Sequence, residues 1–249
     1  MEVHKHPHHV THHKKWFEYL LEFIMLFLAV YLGFIAENIR ESNLEKHREK
    51  QFMESLVKDL KLDTAYLTAC INDQIVRKNT IDTVVEYFKK HPDIKQITLP
   101  VVYQMRKTVW DRVFFCYNST INQLNNSGNM RLISDRALVD SIENYYQQIE
   151  RASFTRSAYL ANQSTVLGFI QKLTNPFEAI NFQKTLFGKR VIPVDDKSFY
   201  AFNNKYLYEY LGFLSNQVIY QTLNDINFNS QSRERGKRLI TLIKNSYQL

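Results

Sequence analysis

Glycine and proline are scarce, six and five in 249 residues. Folds with many short strands need turn residues about every eight to twelve positions, so sandwiches and barrels are excluded. Cysteine is scarcer still: Cys70 and Cys116 stand alone, with no Cys-x-x-Cys pair and no metal-ligand spacing. Both lie in apolar stretches of helical pattern, where a buried free thiol is the expected state. Runs of five or six like charges are missing too. The net charge of +7 therefore reads as a solvated basic surface, and no nucleic acid is expected as a partner. Also missing are His-Glu-x-x-His, Gly-x-Ser-x-Gly and any glycine loop able to cradle a phosphate. The sequence thus predicts no enzyme, no catalytic residue and no cofactor.

What the chain does have is 15 Tyr, 17 Phe and long stretches free of helix breakers. The expected fold class is all-α, with one N-terminal transmembrane helix continuing into a long amphipathic helix and a helical bundle. The expected division is a His- and Lys-rich tail over 1–15, a membrane helix over 16–36, a stalk helix over 37–92 and a bundle over 93–249.

Between Trp16 and Ala36 the only charges are Glu18 and Glu22, and Phe23–Ala36 has none. About 20 apolar residues cross the hydrocarbon of a bilayer, so the lipid bilayer is the first expected partner. A cleavable leader would need small residues around an Ala-x-Ala-like site, and here Phe34 and Tyr31 occupy the positions that matter. Trp16, Phe17 and Tyr19 sit where interfacial aromatics belong. At 100° per residue, Glu18, Glu22, Ala29, Gly33 and Ala36 fall on one narrow stripe, opposite Leu20, Ile24, Phe27 and Tyr31. Ala29-x-x-x-Gly33 lets a second helix backbone approach closely, and carboxyls at membrane depth face protein or water rather than lipid. The stripe is the expected helix-packing face, and Glu22 with Glu18 the candidate ion-carrying groups. The plainer alternative is that both glutamates snorkel to the headgroups of an inert anchor.

Before the span lie Lys5, Lys14 and Lys15, and just after it Arg40, Lys46, Arg48 and Lys50, so Lys and Arg balance on the two sides; the habit of short basic leaders to stay inside places the N-terminus in the cytoplasm and the large domain outside. The same tail carries His4, His6, His8, His9, His12 and His13, candidate ligands for weak capture of Zn²⁺, Ni²⁺ or Cu²⁺ without the second shell of a dedicated site.

From Pro7 to Pro92 there is no proline, and Gly33 is the sole glycine, so one helix can run from the membrane far into water. Uninterrupted, it would measure about 110 Å, unless Asp63-Thr64 caps a new start. Glu37, Glu41, Glu45 and Glu49 form an acidic, solvated stripe beyond the membrane; gathered in several copies it would ring an entrance for cations. Helical patterning resumes over Val101–Asn126 and stops at Ser127-Gly128. A further helix starts near Ser134 or Asp135 and reaches toward Leu173. Phe199–Leu223 and Ser232–Tyr247 read as closing helices, and Asp111-Arg112 and Asp135-Arg136 as surface pairs.

The strings HPHHVTHHKKWFEYLLEFIMLFLAVYLGFIAENIRE and HREKQFMESLVKDLKLDT, with QLNNSGNMRLISDRALVDSIENYY further on, resemble a family of uncharacterised single-pass membrane proteins of Bacteroidota, with a domain of unknown function. The resemblance covers roughly Pro7–Tyr146 and implies a bacterial envelope protein; it carries no activity and no catalytic residue. The function expected from the residues is a non-enzymatic, membrane-anchored interaction or scaffold protein that forms a homo-oligomer or docks on another membrane protein. The alternative is an ion-translocating channel or motor-stator-like subunit using Glu22.

Overall fold

The structure, a computed structural model, describes residues 15–92, 94, 97–173 and 204–249, and the tail histidines lie outside these. It is all-α, with no strand among the described residues. The elements are α1 (Trp16–Lys90), α2 (Leu99–Lys107), α3 (Ser119–Asn126), a 3₁₀ turn (Asn129–Leu132), α4 (Arg136–Leu173), α5 (Asn204–Phe213), a π turn (Leu214–Val218) and α6 (Ile219–Tyr247). By its contacts the chain divides into two compact units, Met1–Gln51 and Phe52–Leu249.

α1 runs 75 residues without a break. Asp63-Thr64 starts no new helix: the Thr64 hydroxyl donates back to the Lys61 carbonyl within the same helix, and the Asp63 carboxylate is engaged elsewhere. In the first unit every residue from Trp16 to Phe34 is exposed, the large apolar side chains included. One helix among the described residues, α1, is long and apolar enough to cross a membrane, and none of its apolar window is buried. Farther along, Arg40 pairs with Glu37 through a two-pronged contact whose Nε–Oε2 arm is 2.9 Å. The acidic stripe is not uniformly solvated, because Glu49 is only 7 % exposed.

In the second unit, the buried face of α1 advances by alternating steps of three and four: Met53, Leu56, Leu60, Asp63, Leu67, Cys70, Gln74, Arg77, Ile81, Val84 and Phe88. This is the spacing of a helix stripe facing a core. Ile75, apolar but off this stripe, is exposed. The bundle holds two apolar clusters. One joins Met53, Leu56 and Leu60 of α1 to Ile121 and Leu124 of α3, Leu138 and Ile142 of α4, and Leu239 and Ile243 of α6. The other joins Ile81, Val84 and Phe88 to Val102 and Met105 of α2, Val166 and Ile170 of α4, and Leu207, Tyr210 and Leu214. The polar members of the α1 stripe lie between these two groups in sequence.

Local chemistry sets the remaining boundaries. Pro100 occupies the first turn of α2, where its missing N–H costs nothing. The α3 helix ends at Ser127 and Gly128, the latter at φ 68°, a left-handed conformation glycine adopts without strain. The Asp135 carboxylate accepts from the Leu138 N–H at 3.1 Å and caps α4. Asp135 and Arg136, both exposed, thus mark the helix start expected near Ser134 or Asp135. The closing helices are not separated at residues 224–231; α6 is continuous there and joins α5 through the π turn. Gly236 of α6 lies against α1, where a Cβ would come within 2.9 Å of Thr64 Cγ2.

Candidate functional site

The expected helix over Val101–Asn126 is broken. Residues 110–118 form irregular chain between α2 and α3, half-buried or exposed along its length. Backbone groups partly withdrawn from water need partners, and here distant side chains supply them. Asp63 accepts from the Tyr117 N–H at 2.7 Å, from the Cys116 thiol at 3.2 Å and from the Tyr145 hydroxyl at 3.0 Å. Asp59 accepts from the Thr120 N–H at 3.0 Å, capping α3 from another helix, and Tyr66 donates to the Val113 carbonyl at 3.2 Å. The Tyr159 hydroxyl accepts from the Asp111 N–H at 3.0 Å.

Asp111 is no surface residue. Its side chain is 2 % exposed, that of Arg77 1 %, and they meet at 3.3 Å through Nη1 and Oδ2. Arg77 Nε donates to the Thr108 carbonyl at 2.8 Å, and its guanidinium carbon lies 5.5 Å from the centre of the Tyr159 ring. The neighbouring Arg112 turns outward and holds Asp73 at 2.6 Å. Two buried atoms of the central pair are left over: among the described residues Asp111 Oδ1 and Arg77 Nη2 have no hydrogen-bond partner. A buried polar atom without a partner costs about 1–3 kcal/mol, so this pair is held by its surroundings against a local penalty.

Beside the pair lies a cavity of about 500 Å³, bounded by Asp111–Cys116 of the irregular segment, Gln74 of α1, Tyr146, Glu150 and Tyr159 of α4, and Asp225, Phe228 and Asn229 of α6. Gln74 and Asn229 close one side by hydrogen-bonding each other at 3.1 Å. The hydroxyl of Tyr146 is buried and has no partner among the described residues. Burial pushes the Asp225 carboxyl up from 3.8 to about 6, and the Asp111 charge adds to the rise while Arg77 opposes it. Burial likewise raises Asp111, with Arg77 pulling it back down, and raises Asp63 against the three donors it accepts from. Both cysteines are free; burial lifts the Cys70 thiol to about 11 and the Cys116 thiol further, the nearby Asp63 carboxylate adding to the latter. Cys116 sits in the irregular segment and not on a helix, contrary to expectation.

The residues expected to matter lie elsewhere. Glu18, Glu22, Ala29, Gly33 and Ala36 share α1 without interruption, so their common stripe is preserved, and all five are exposed. Among the described residues nothing lies within 4 Å of a Cβ added at Gly33. Among the described residues no three His, Cys, Asp or Glu converge as a metal site. The cavity residues were missed by motif reading, yet a signal existed. Continuing the three-four steps from Leu56 and Leu60 along α1 brings Asp63, Gln74 and Arg77 onto the buried stripe, where charge needs a partner. Compared with known proteins, the chain matches no family model, no curated protein and no solved structure at a significant level.

Proposed function

We propose that the chain is a non-enzymatic, single-pass membrane-anchored protein that works by association, its first unit docking on another membrane helix through the Glu22–Ala29–Gly33 face. The observation that carries this reading is the uncovered apolar length of α1: from Trp16 to Phe34 no residue is buried. So large an apolar surface is not left in water, and a bilayer is the environment that matches its length. Within a bilayer, apolar side chains gain nothing by leaving lipid, so helix pairing depends on close backbone approach and on polar groups. The Ala29–Gly33 pair offers the first, since among the described residues nothing comes within 4 Å of a Cβ placed at Gly33. Glu18 and Glu22 on the same side offer the second. The partner is a second copy of the chain or another membrane protein. The resemblance to Bacteroidota envelope proteins and the basic leader favour an inner membrane, with the tail in the cytoplasm and the bundle in the periplasm.

The mass and composition of the complex extracted in mild detergent test this reading. Gly33→Leu is expected to insert normally and to lose the partner. An assembly of unchanged mass in that variant refutes the docking face, and a wild-type monomer refutes association altogether.

A further inference from the structure

The Phe52–Leu249 unit carries a second groove, of about 480 Å³, between α4 and α6. One wall is Ser141, Asn144, Tyr145 and Gln148, the other Arg235, Arg238, Leu239 and Leu242. Each wall advances by steps of three, one and three, so each is a single face of its helix, about 10 Å long. The two helices run in opposite directions: a Cβ at Gly236 would lie 3.4 Å from the Tyr145 ring, while Gln221 accepts from the Asn162 amide at 2.5 Å. Gln148 thus stands at the Arg235 end of the groove and Ser141 at the Leu242 end. One end is cationic and the other apolar.

No carboxylate answers the cationic end. On α6, Glu234 is shared by its neighbours Arg233 and Lys237, whereas Arg235 and Arg238, both exposed, make no hydrogen bond or ion pair among the described residues. Neither wall contains Asp or Glu; Asp140 and Glu143 lie on the next face of α4, around a separate groove with Arg151. The stretch 152–158 farther along α4 has no acidic residue either. Across the groove, the Ser141 hydroxyl donates to the Ala137 carbonyl and the Tyr145 hydroxyl to Asp63. Gln148 Nε2 donates to Asn144 Oδ1, which fixes the Asn144 amide and leaves its Nδ2 hydrogens for a ligand. Two guanidiniums and an amide N–H with no competing acceptor suit the several oxygens of a phosphate. Beyond them Leu239 and Leu242, the latter 40 % exposed, extend the groove as a bed for a carbon chain. We propose that the α4–α6 groove binds a phosphate ester with an apolar tail, its phosphate held by Arg235, Arg238 and Asn144 and its chain lying along Leu239 and Leu242. A membrane phospholipid and a soluble alkyl phosphate share that chemistry. The groove is built by α4 and α6 alone, so the proposal is independent of how α1 associates in the membrane.

The test is calorimetric titration of the full chain in neutral detergent micelles at about pH 8, where an alkyl phosphate is a dianion. Butyl phosphate is expected to saturate with a Kd in roughly the micromolar to millimolar range, and inorganic phosphate to bind about fivefold more weakly or worse. Arg235→Gln combined with Arg238→Gln should weaken butyl phosphate by about tenfold or more, with the melting transition intact. Arg233→Gln combined with Lys237→Gln removes the same charge from the cations that Glu234 already holds, and should leave the affinity within about twofold of wild type. Leu242→Gln should bring butyl phosphate down toward inorganic phosphate. Native mass spectrometry of the chain released from micelles doped with phosphatidylglycerol separates the two sources. Lipid adducts kept by wild type and lost with Arg235 and Arg238 mark a phospholipid; equal adducts in both mark a soluble ester. The proposal falls if butyl phosphate does not saturate, if inorganic phosphate binds as tightly, or if the two double variants lose affinity alike.

Discussion

Asparagine in place of Asp225 removes a buried charge while keeping the volume and most of the shape of the side chain. The folded-state pKa of this group is raised, from 3.8 to about 6. A carboxyl raised in this way contributes its full stability below the unfolded value and loses it as pH climbs through the folded value. Above about pH 6 the folded state therefore carries the whole cost of ionising Asp225, and the gap from 3.8 to about 6 corresponds to about 3 kcal/mol. Asp225→Asn does not bear that cost. A bundle of this size gains roughly 2–4 °C per kcal/mol, so the variant should melt about 6–12 °C above wild type at neutral pH. Circular dichroism melts of the full chain in detergent, at steps between about pH 3.5 and pH 8, give the measurement. The difference between the two proteins should be full at the alkaline end, shrink through about pH 6 and vanish below 3.8. Surface carboxylates titrate alike in both proteins and cancel. An equal or lower melting temperature for the variant at neutral pH, or a gap that ignores pH, refutes the reasoning.

Three further outcomes follow from the same packing. Arg77→Met leaves the Asp111 carboxylate buried without its counter-charge and should destabilise the bundle by about 3–5 kcal/mol in denaturant melts, whereas adding Asp111→Leu to it should recover most of the loss. Gly236→Val drives a side chain into Thr64 Cγ2, 2.9 Å from the Cβ position, in a Thr whose hydroxyl is tied to the Lys61 carbonyl; a loss of about 1–3 kcal/mol is expected by the same melts. Cys70 and Cys116, both held protonated by burial, should resist iodoacetamide in the folded chain at neutral pH and react in denaturant, as intact-mass spectrometry would record. Rapid alkylation of either thiol under native conditions would contradict the burial described.

The helices were legible in the sequence where local signals agree. The lack of proline and glycine after Gly33 fixed α1, Ser127-Gly128 fixed the end of α3, and Asp135 fixed the start of α4, because each acts on its own neighbours. Residues 110–118 were not legible, since Val113, Phe114 and Phe115 suit a helix as well as an irregular segment. What decides between them comes from Asp59, Asp63 and Tyr66, 47 to 61 residues away. The same distance hid the cavity. Asp111 beside Arg112 looks like a surface pair until Arg77 is known to lie opposite, and nothing near Asp225 in sequence marks it as shielded. The small-residue stripe on α1, by contrast, is a property of one helix, and a helix that stays unbroken retains it.

The π turn at Leu214–Val218 gives the closing helix a matter of phase. A π turn holds one more residue than an α turn, so α5 and α6 are joined with a built-in insertion. Leu207 and Tyr210 before it and Thr222, Asn229 and Leu239 after it are all buried, on either side of that insertion. Deleting any single position within the turn would restore a plain α-helix and rotate one half by about 100° against the other. The chain would then keep Tyr210 beside Thr108 or Asn229 beside Gln74, and forfeit one of the two. A single-codon deletion is the smallest change that uncouples the apolar cluster around Tyr210 from the wall of the cavity.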